Sequence, residues 1–168
     1  AQRLTAKPAD GERLVFEIDQ SENWSLLEPE KIAADKDIVR RLLGRIAALK
    51  ARSFLEPDSE DYPSGIFEES PILELRIDMQ DGSKRSIKIL GRETSDTEEL
   101  CWVQIEDEPT IYLSPAGIIE EFDVSILELR DRSVLGLNAE DIKEITVDMS
   151  SEDDLSPSGH AEAVFKSG

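Results

Sequence analysis

The sequence describes an acidic chain of 168 residues, with 38 acidic and 19 basic side chains. Its formal net charge of -19 repels phosphate backbones and anionic lipid headgroups, which argues against nucleic acid or a membrane surface as the partner. Apolar residues make up 39% of the chain and occur in patterned segments, so we expect a folded protein and no intrinsic disorder outside the tails.

The first part of the chain is predicted to contain two short strands followed by a long helix. Residues 14–18 are β-prone and bounded by turn residues, and residues 24–27 form a second extended piece that ends before Pro29. Asp35 is placed to cap a helix over residues 36–51. The apolar residues of this helix are spaced as one face. They are Ile38, Val39, Leu42, Ile46 and Leu49.

Strands are predicted to dominate the middle of the chain. An acidic, turn-rich loop covers residues 56–70. Residues 72–79 and 86–90 then alternate in polarity and form a hairpin, and residues 100–106 pair with 110–113 in a second hairpin. We expect these four strands to make one antiparallel meander.

The last part of the chain is predicted to return to helix and then to strand. Ser114 and Pro115 are a typical cap and first helical residue, so a helical region should begin there, break near Asp123 and end near Arg132. Residues 142–149 alternate as a further strand, and the remainder is loop-like.

Two segments carry nearly the same heptapeptide, each at the end of a predicted helix: residues 49–55 and residues 129–135. Matching strands follow them, at residues 74–79 and 144–149. Each half also has a tryptophan and then a proline before its helix. We therefore predict an α+β fold of antiparallel sheets with packed helices, built from two related repeats of strand, tryptophan, proline, helix, loop and strand.

The repeat divides the chain into three segments. Residues 1–79 form the first unit, residues 80–149 form the second, and residues 150–168 form a linker and the start of a possible third unit. Arg52 and Arg132 recur in the heptapeptide and are expected to pair with acids of the neighbouring unit or in ordinary surface ion pairs.

No set of residues predicts catalysis, cofactor binding or a metal site. The only histidine is His160, in the tail, so a histidine-paired nucleophile and a multi-histidine metal site cannot be assembled. Glycine-rich phosphate loops are also absent. Carboxylates are too numerous for any pair of them to indicate a glycosidase-like centre. The sequence therefore predicts that the protein is not an enzyme and has no cofactor.

A few residues allow more than one interpretation. The acidic clusters at residues 58–61 and 151–154 do not have the spacing of a calcium loop, so solvated loops are favoured over calcium sites. Trp24 and Trp102 are expected in the core, although a sugar-stacking or interface role would require exposure. Cys101 is expected to be a small core residue, since its neighbours are apolar.

Several segments resemble a known family. The run Trp24–Pro29, the helix start at Ala34 and Asp35, and residues 129–135 with 138–145 are similar to the bacterial domain-of-unknown-function family 4340. This resemblance implies a membrane-anchored protein with a large extracytoplasmic part, encoded beside ABC transporters of the gliding-motility auxiliary type. It supplies no catalytic signature.

We therefore expect this chain to be an extracytoplasmic interaction or structural module and an accessory part of a bacterial membrane transport complex. Its expected partners are proteins, with ABC transporter components among the candidates. Residues 1–4 read like the middle of a protein and include no Met, so we expect an anchor or signal segment to precede this chain. The family resemblance implies that the full-length protein is anchored to the inner membrane, on the periplasmic side. The alternatives are an acidic carbohydrate- or calcium-binding module and a hydrolase of unrecognised type.

Overall fold

A computed structural model of the protein describes residues 1–63, 65, 70–94, 98–106 and 108–133. The chain divides after Asp131 into two compact units. All the strands and helices reported below lie in the first unit, Ala1–Asp131. Of the second unit, only Arg132 and Ser133 are described.

The described part of the first unit is mostly antiparallel sheet. Its strands are β1 (Arg3–Pro8), β2 (Leu14–Ile18), β3 (Trp24–Glu28), β4 (Ile32–Ala33), β5 (Ser53–Leu55), β6 (Leu73–Asp78), β7 (Lys84–Thr94), β8 (Glu99–Ile105) and β9 (Ile111–Pro115). The helices are few: α1 (Lys36–Ala47), α2 (Gly117–Glu120) and α3 (Ile126–Leu129). The strands form one sheet in the order β4-β3-β2-β1-β6-β7-β8-β9-β5.

The meander predicted for the middle of the chain is confirmed. Strands β6, β7, β8 and β9 are consecutive neighbours and pair antiparallel. Leu75 lies opposite Ile87, and Ile89 lies opposite Val103. Because alternate residues of a strand point to the same face, these apolar residues share one side of the sheet. The alternation of polarity was a sufficient signal for these strands.

Strand β1 lies near the centre of the sheet, although the sequence did not predict it. It pairs with β2 on one side and with β6 on the other, and it places the fully buried Leu4 and Ala6 in the core. Leu4 is the only large apolar residue of this strand, and Ala is a weak strand former. Its position therefore depends on partners that flank it on both sides.

Helix α1 begins where the sequence predicts. The Asp35 carboxylate accepts hydrogen bonds from the backbone N–H groups of Asp37 (2.9 Å) and Ile38 (3.1 Å). Val39 and Leu42 of its apolar face are fully buried. The helix ends at Ala47 and not at Ala51, because the chain turns to pair β5 with β9 instead.

The predicted cap at Ser114 and Pro115 is wrong. Both residues belong to β9, where they pair with β8. The helical region that follows is split into α2 and α3, which confirms the predicted break near Asp123. Helix α3 starts at Ser125, whose hydroxyl accepts a hydrogen bond from the Glu128 N–H in a capping box.

One hydrophobic cluster joins the inward residues of the sheet to the helices. Its strand members include Leu4, Phe16, Leu26, Leu75, Ile89 and Val103, and its helical or near-helical members include Val39, Leu42, Ile118, Phe122 and Leu129. The burial of this cluster is the main source of stability for the unit.

The predicted division of the chain falls partly outside the described residues. The boundary between residues 79 and 80 lies in the turn between β6 and β7, whereas the strand at 142–149 and the boundary at 149–150 are not described. In the described part of the chain, no helix is long and apolar enough to cross a membrane.

Candidate functional site

The two tryptophans occupy different environments. Trp24, in β3, is only 5% exposed and belongs to the hydrophobic cluster, which confirms the predicted core position. Trp102, in β8, is partly exposed. Its side chain lies on the opposite face of the sheet from those of Cys101 and Val103, because adjacent strand residues alternate. The predicted core position is therefore wrong for Trp102.

Cys101 is a buried thiol, which confirms the predicted core position. Its sulfur lies 3.8 Å from the backbone oxygen of Pro115. Burial raises the pKa of Cys101 to about 11, and the nearby Arg92 opposes this rise. The thiol therefore stays protonated at neutral pH, a state in which it is a poor nucleophile.

The first acidic cluster lies in the loop after β5. Asp58, Glu60 and Asp61 are exposed, and the backbone N–H of Asp61 donates to the hydroxyl of Ser59 (3.3 Å). Among the residues that the structure describes, no three His, Cys, Asp or Glu side chains are grouped closely enough to hold a metal ion. The second cluster, 151–154, and His160 lie outside the described residues.

Arg52 forms an ion pair across the predicted division of the chain. Its Nε lies 3.0 Å from the Oε1 of Glu98, a residue of the segment 80–149. The side chains are 61% and 36% exposed, so this pair contributes less than about 1 kcal/mol.

The segment from Lys36 to Arg52 is basic in an otherwise acidic chain. It contains six basic side chains and one acidic side chain, Asp37. The basic residues are Lys36, Arg40, Arg41, Arg45, Lys50 and Arg52. The interpretation of the sequence missed this feature, although counting charges along the chain would have found it.

The basic side chains near the end of α1 outnumber their acidic partners. Glu121 is shared by Arg41 (3.5 Å) and Arg45 (3.0 Å). Lys50 has no carboxylate within 4 Å in the part of the chain that the structure describes. With Arg52 and its partner Glu98 included, four cations face two carboxylates. The local field is therefore positive, opposite in sign to the charge of the whole chain.

A cavity of about 370 Å³ lies within this basic region. Three cations, Arg45, Lys50 and Arg52, line it together with Glu121. Its remaining walls come from the residues just after α1, from the end of β9 and from the start of α2. The cavity is open to solvent, so an acidic group of a partner could reach the three cations.

Strand β5 continues this surface as the outermost strand of the sheet. It pairs with β9 alone among the described strands, and its central residue, Phe54, is 62% exposed. Arg52 immediately precedes β5, and its backbone N–H donates to the backbone oxygen of Leu113 in β9 (2.7 Å), so Arg52 lies at the start of the strand that carries Phe54. We define the β5 surface by four residues: Arg45, Lys50, Arg52 and Phe54.

The β5 surface combines three features of protein interfaces. The edge of β5 that faces away from β9 has no partner among the described strands, and such an edge offers backbone N–H and C=O groups to another strand. An exposed aromatic ring offers apolar area, and arginine is enriched in interface cores.

The chain was compared with protein families, curated proteins and solved structures. The family model of the Domain of unknown function (DUF4340) matches residues 24–162, which are most of the chain. No curated protein and no solved structure matches. The matched residues include α1, β5 and the whole of the β5 surface. The chain therefore belongs to the family described as domain of unknown function DUF4340.

Proposed function

We propose that this chain is an extracytoplasmic interaction module, an accessory part of a bacterial membrane transport complex, and that it binds its protein partner through the β5 surface. The observation that supports this proposal is the exposure of Phe54, at 62%, on an outermost strand flanked by cations. Large aromatic side chains are seldom left in water on an edge strand, since such an edge promotes association.

The β5 surface favours an acidic partner in an extended conformation. Lys50 and Arg52 are exposed beside the strand edge, and their charge attracts carboxylates. A strand added at β5 would gain backbone hydrogen bonds along Ser53–Leu55 and apolar contact with Phe54. The partner segment should therefore alternate acidic and apolar residues.

The extracytoplasmic location and the transport complex are the part of the proposal that rests on the family resemblance. That resemblance implies attachment to the inner membrane, on the periplasmic side, next to ABC transporter components. The β5 surface supports only the binding of a protein.

Phe54→Ala and Arg52→Glu should each abolish capture of the partner. The experiment is an affinity pull-down from native membranes with the full-length anchored protein, with captured proteins identified by mass spectrometry. We expect transporter subunits with the unchanged protein. Loss of a central aromatic side chain typically weakens an interface by about 2 kcal/mol, or roughly thirtyfold.

Leu127→Ala is the matched control, because Leu127 is 73% exposed and belongs to α3, which contributes no residue to the β5 surface. This variant should capture the same subunits as the unchanged protein. Capture that survives both Phe54→Ala and Arg52→Glu would show that the β5 surface is not the docking site. A bait that captures no membrane protein would contradict the transport assignment itself.

We also propose that the chain consists of two related α+β repeats, residues 1–79 and 80–149. Both heptapeptides, residues 49–55 and 129–135, begin at or just after the end of a helix. An experimental structure of the whole chain in which residues 134–168 are visible tests this idea. A strand at residues 142–149 is expected, by analogy with β6, and a helix there would contradict the repeat.

The alternative functions gain no support from the described residues. Trp24 is buried and cannot stack on a sugar, and Trp102 is only partly exposed. The absence of catalytic activity stays a prediction, as does the absence of a cofactor.

A further inference from the structure

A second cavity lies between the β1–β2 turn, the start of β6 and the segment containing α2 and α3. Its volume is about 750 Å³, within the range of ligand-binding pockets, and it is open to solvent along one side. It shares no lining residue with the β5 surface. We refer to it as the acidic groove, and its floor includes the buried side chains of Leu14, Leu73 and Phe122.

The charges around the acidic groove are mainly negative. Asp10 and Glu12 lie on the β1–β2 turn, and Asp123 lies between α2 and α3. All three are exposed, and no basic side chain lies within 4 Å of their carboxylates in the part of the chain that the structure describes. Their charges therefore face the groove without a neighbouring counter-charge.

Arg92, the single cation among the described lining residues, is already paired. It lies 2.7 Å from Glu120 and 3.0 Å from Glu99. Two carboxylates therefore surround one guanidinium group. An anionic ligand would have to displace one of them and would be repelled by Asp123. The groove consequently favours a cationic ligand over an anionic one.

We propose that the acidic groove binds an extended peptide segment in which Lys or Arg side chains flank apolar residues. Apolar side chains of the peptide would cover Ile72, Val124 and Ile126, which line the groove and are only half-buried, and the burial of their remaining apolar surface supplies affinity. The carboxylates lie on two separate elements, the β1–β2 turn and the α2–α3 connection. A chain with two cations can pair with both elements at once.

The test uses fluorescence anisotropy with a labelled acetyl-Leu-Lys-Leu-Lys-Leu-amide peptide and the full 168-residue chain. We expect saturable binding. Glu12→Lys and Asp123→Lys should each weaken it roughly tenfold, because each replaces an attraction by a repulsion. Ala9→Trp should also weaken it, since the exposed Ala9 lines the groove and a large ring there would occupy it without changing the charge.

Asp58→Lys is the matched control, because it makes the same change of charge at an exposed loop residue outside the groove. Asp58→Lys should change the affinity for the peptide by less than about twofold. Phe54→Ala should leave this affinity unchanged, because Phe54 belongs to the β5 surface and not to the groove. Equal weakening by Asp58→Lys, or equal binding of a peptide with Glu in place of Lys, would overturn the proposal. So would the absence of saturable binding, or complete competition by free lysine amide at the same concentration.

Discussion

At the scale of the residue, the position of a side chain on the sheet decides which chemistry is open to it. Cys101 and Trp102 are adjacent in β8, yet the first is fully buried and the second is partly exposed. Both are apolar, so composition does not separate them. The strand alternates its side chains between two faces, and only one of these faces packs against the hydrophobic cluster.

The free energy of unfolding should decrease at alkaline pH because of the ionisation of Cys101. Burial raises the pKa of this thiol from about 9 in the unfolded chain to about 11. Between these pH values the unfolded state releases the proton and the folded state keeps it, so the free energy of unfolding decreases as pH rises. Two pKa units correspond to about 3 kcal/mol. Urea unfolding at several pH values between 8 and 11 measures this loss.

Cys101→Ala is the control for this prediction, because it removes the titrating group. The difference in stability between the two proteins should change by about 2 to 3 kcal/mol across the interval. Tyr112, whose pKa is raised by its hydrogen bond to Glu108, titrates in both proteins and cancels in the comparison. Parallel pH profiles would show that Cys101 ionises as easily in the folded state as in the unfolded one.

At the scale of the element, local sequence signals located most strands but not their ends. The Asp35 cap and the β6–β7 hairpin were predicted, because caps and turns depend on residues close together in the chain. Strand β5 and the true end of α1 were missed. They depend on pairing between Ser53 and Leu113, which are far apart in sequence.

Two glycines should respond in opposite ways to replacement by alanine. Gly82, in the β6–β7 turn, has a φ of +82°, which an L residue adopts only with strain. Gly44 is exposed within α1, and the space that a Cβ would occupy there is open to solvent. Gly82→Ala should lower the free energy of unfolding by about 1 kcal/mol, and Gly44→Ala should raise it by about 0.5 to 1 kcal/mol.

Urea denaturation of the two variants checks these signs, and each serves as the control for the other. A stabilising Gly82→Ala would show that the turn does not require a positive φ. A destabilising Gly44→Ala would show that the exposed face of α1 is constrained by something other than helix propensity.

At the scale of the whole molecule, the net charge of -19 opposes the compact state. In every ion pair between two described residues the arginine side chain is at least 36% exposed, and surface pairs of this kind contribute less than about 1 kcal/mol each. The repulsion among the excess carboxylates is spread over the whole chain. We therefore expect repulsion to exceed pairing at low ionic strength.

Added salt should stabilise the protein. Raising NaCl from about 0.01 M to about 0.15 M shortens the screening length from about 30 Å to about 8 Å, which removes most of the long-range repulsion. We expect the Tm to rise by a few degrees. A variant in which Asp58, Glu60 and Asp61 are all replaced by the matching amides should show a smaller rise of Tm. A fall of the Tm of the unchanged protein with added salt would show that the ion pairs outweigh the repulsion.

The sequence by itself determined the acidity of the chain, the cap of α1 and the meander β6 to β9, since each depends on composition or on residues close together. Only the tertiary structure decided that β1 is central and that β5 is outermost. It also brought the start of β6 beside α2 and α3 to form the acidic groove. These features arise from contacts between distant parts of the chain, and such contacts leave no periodic signal in a single sequence.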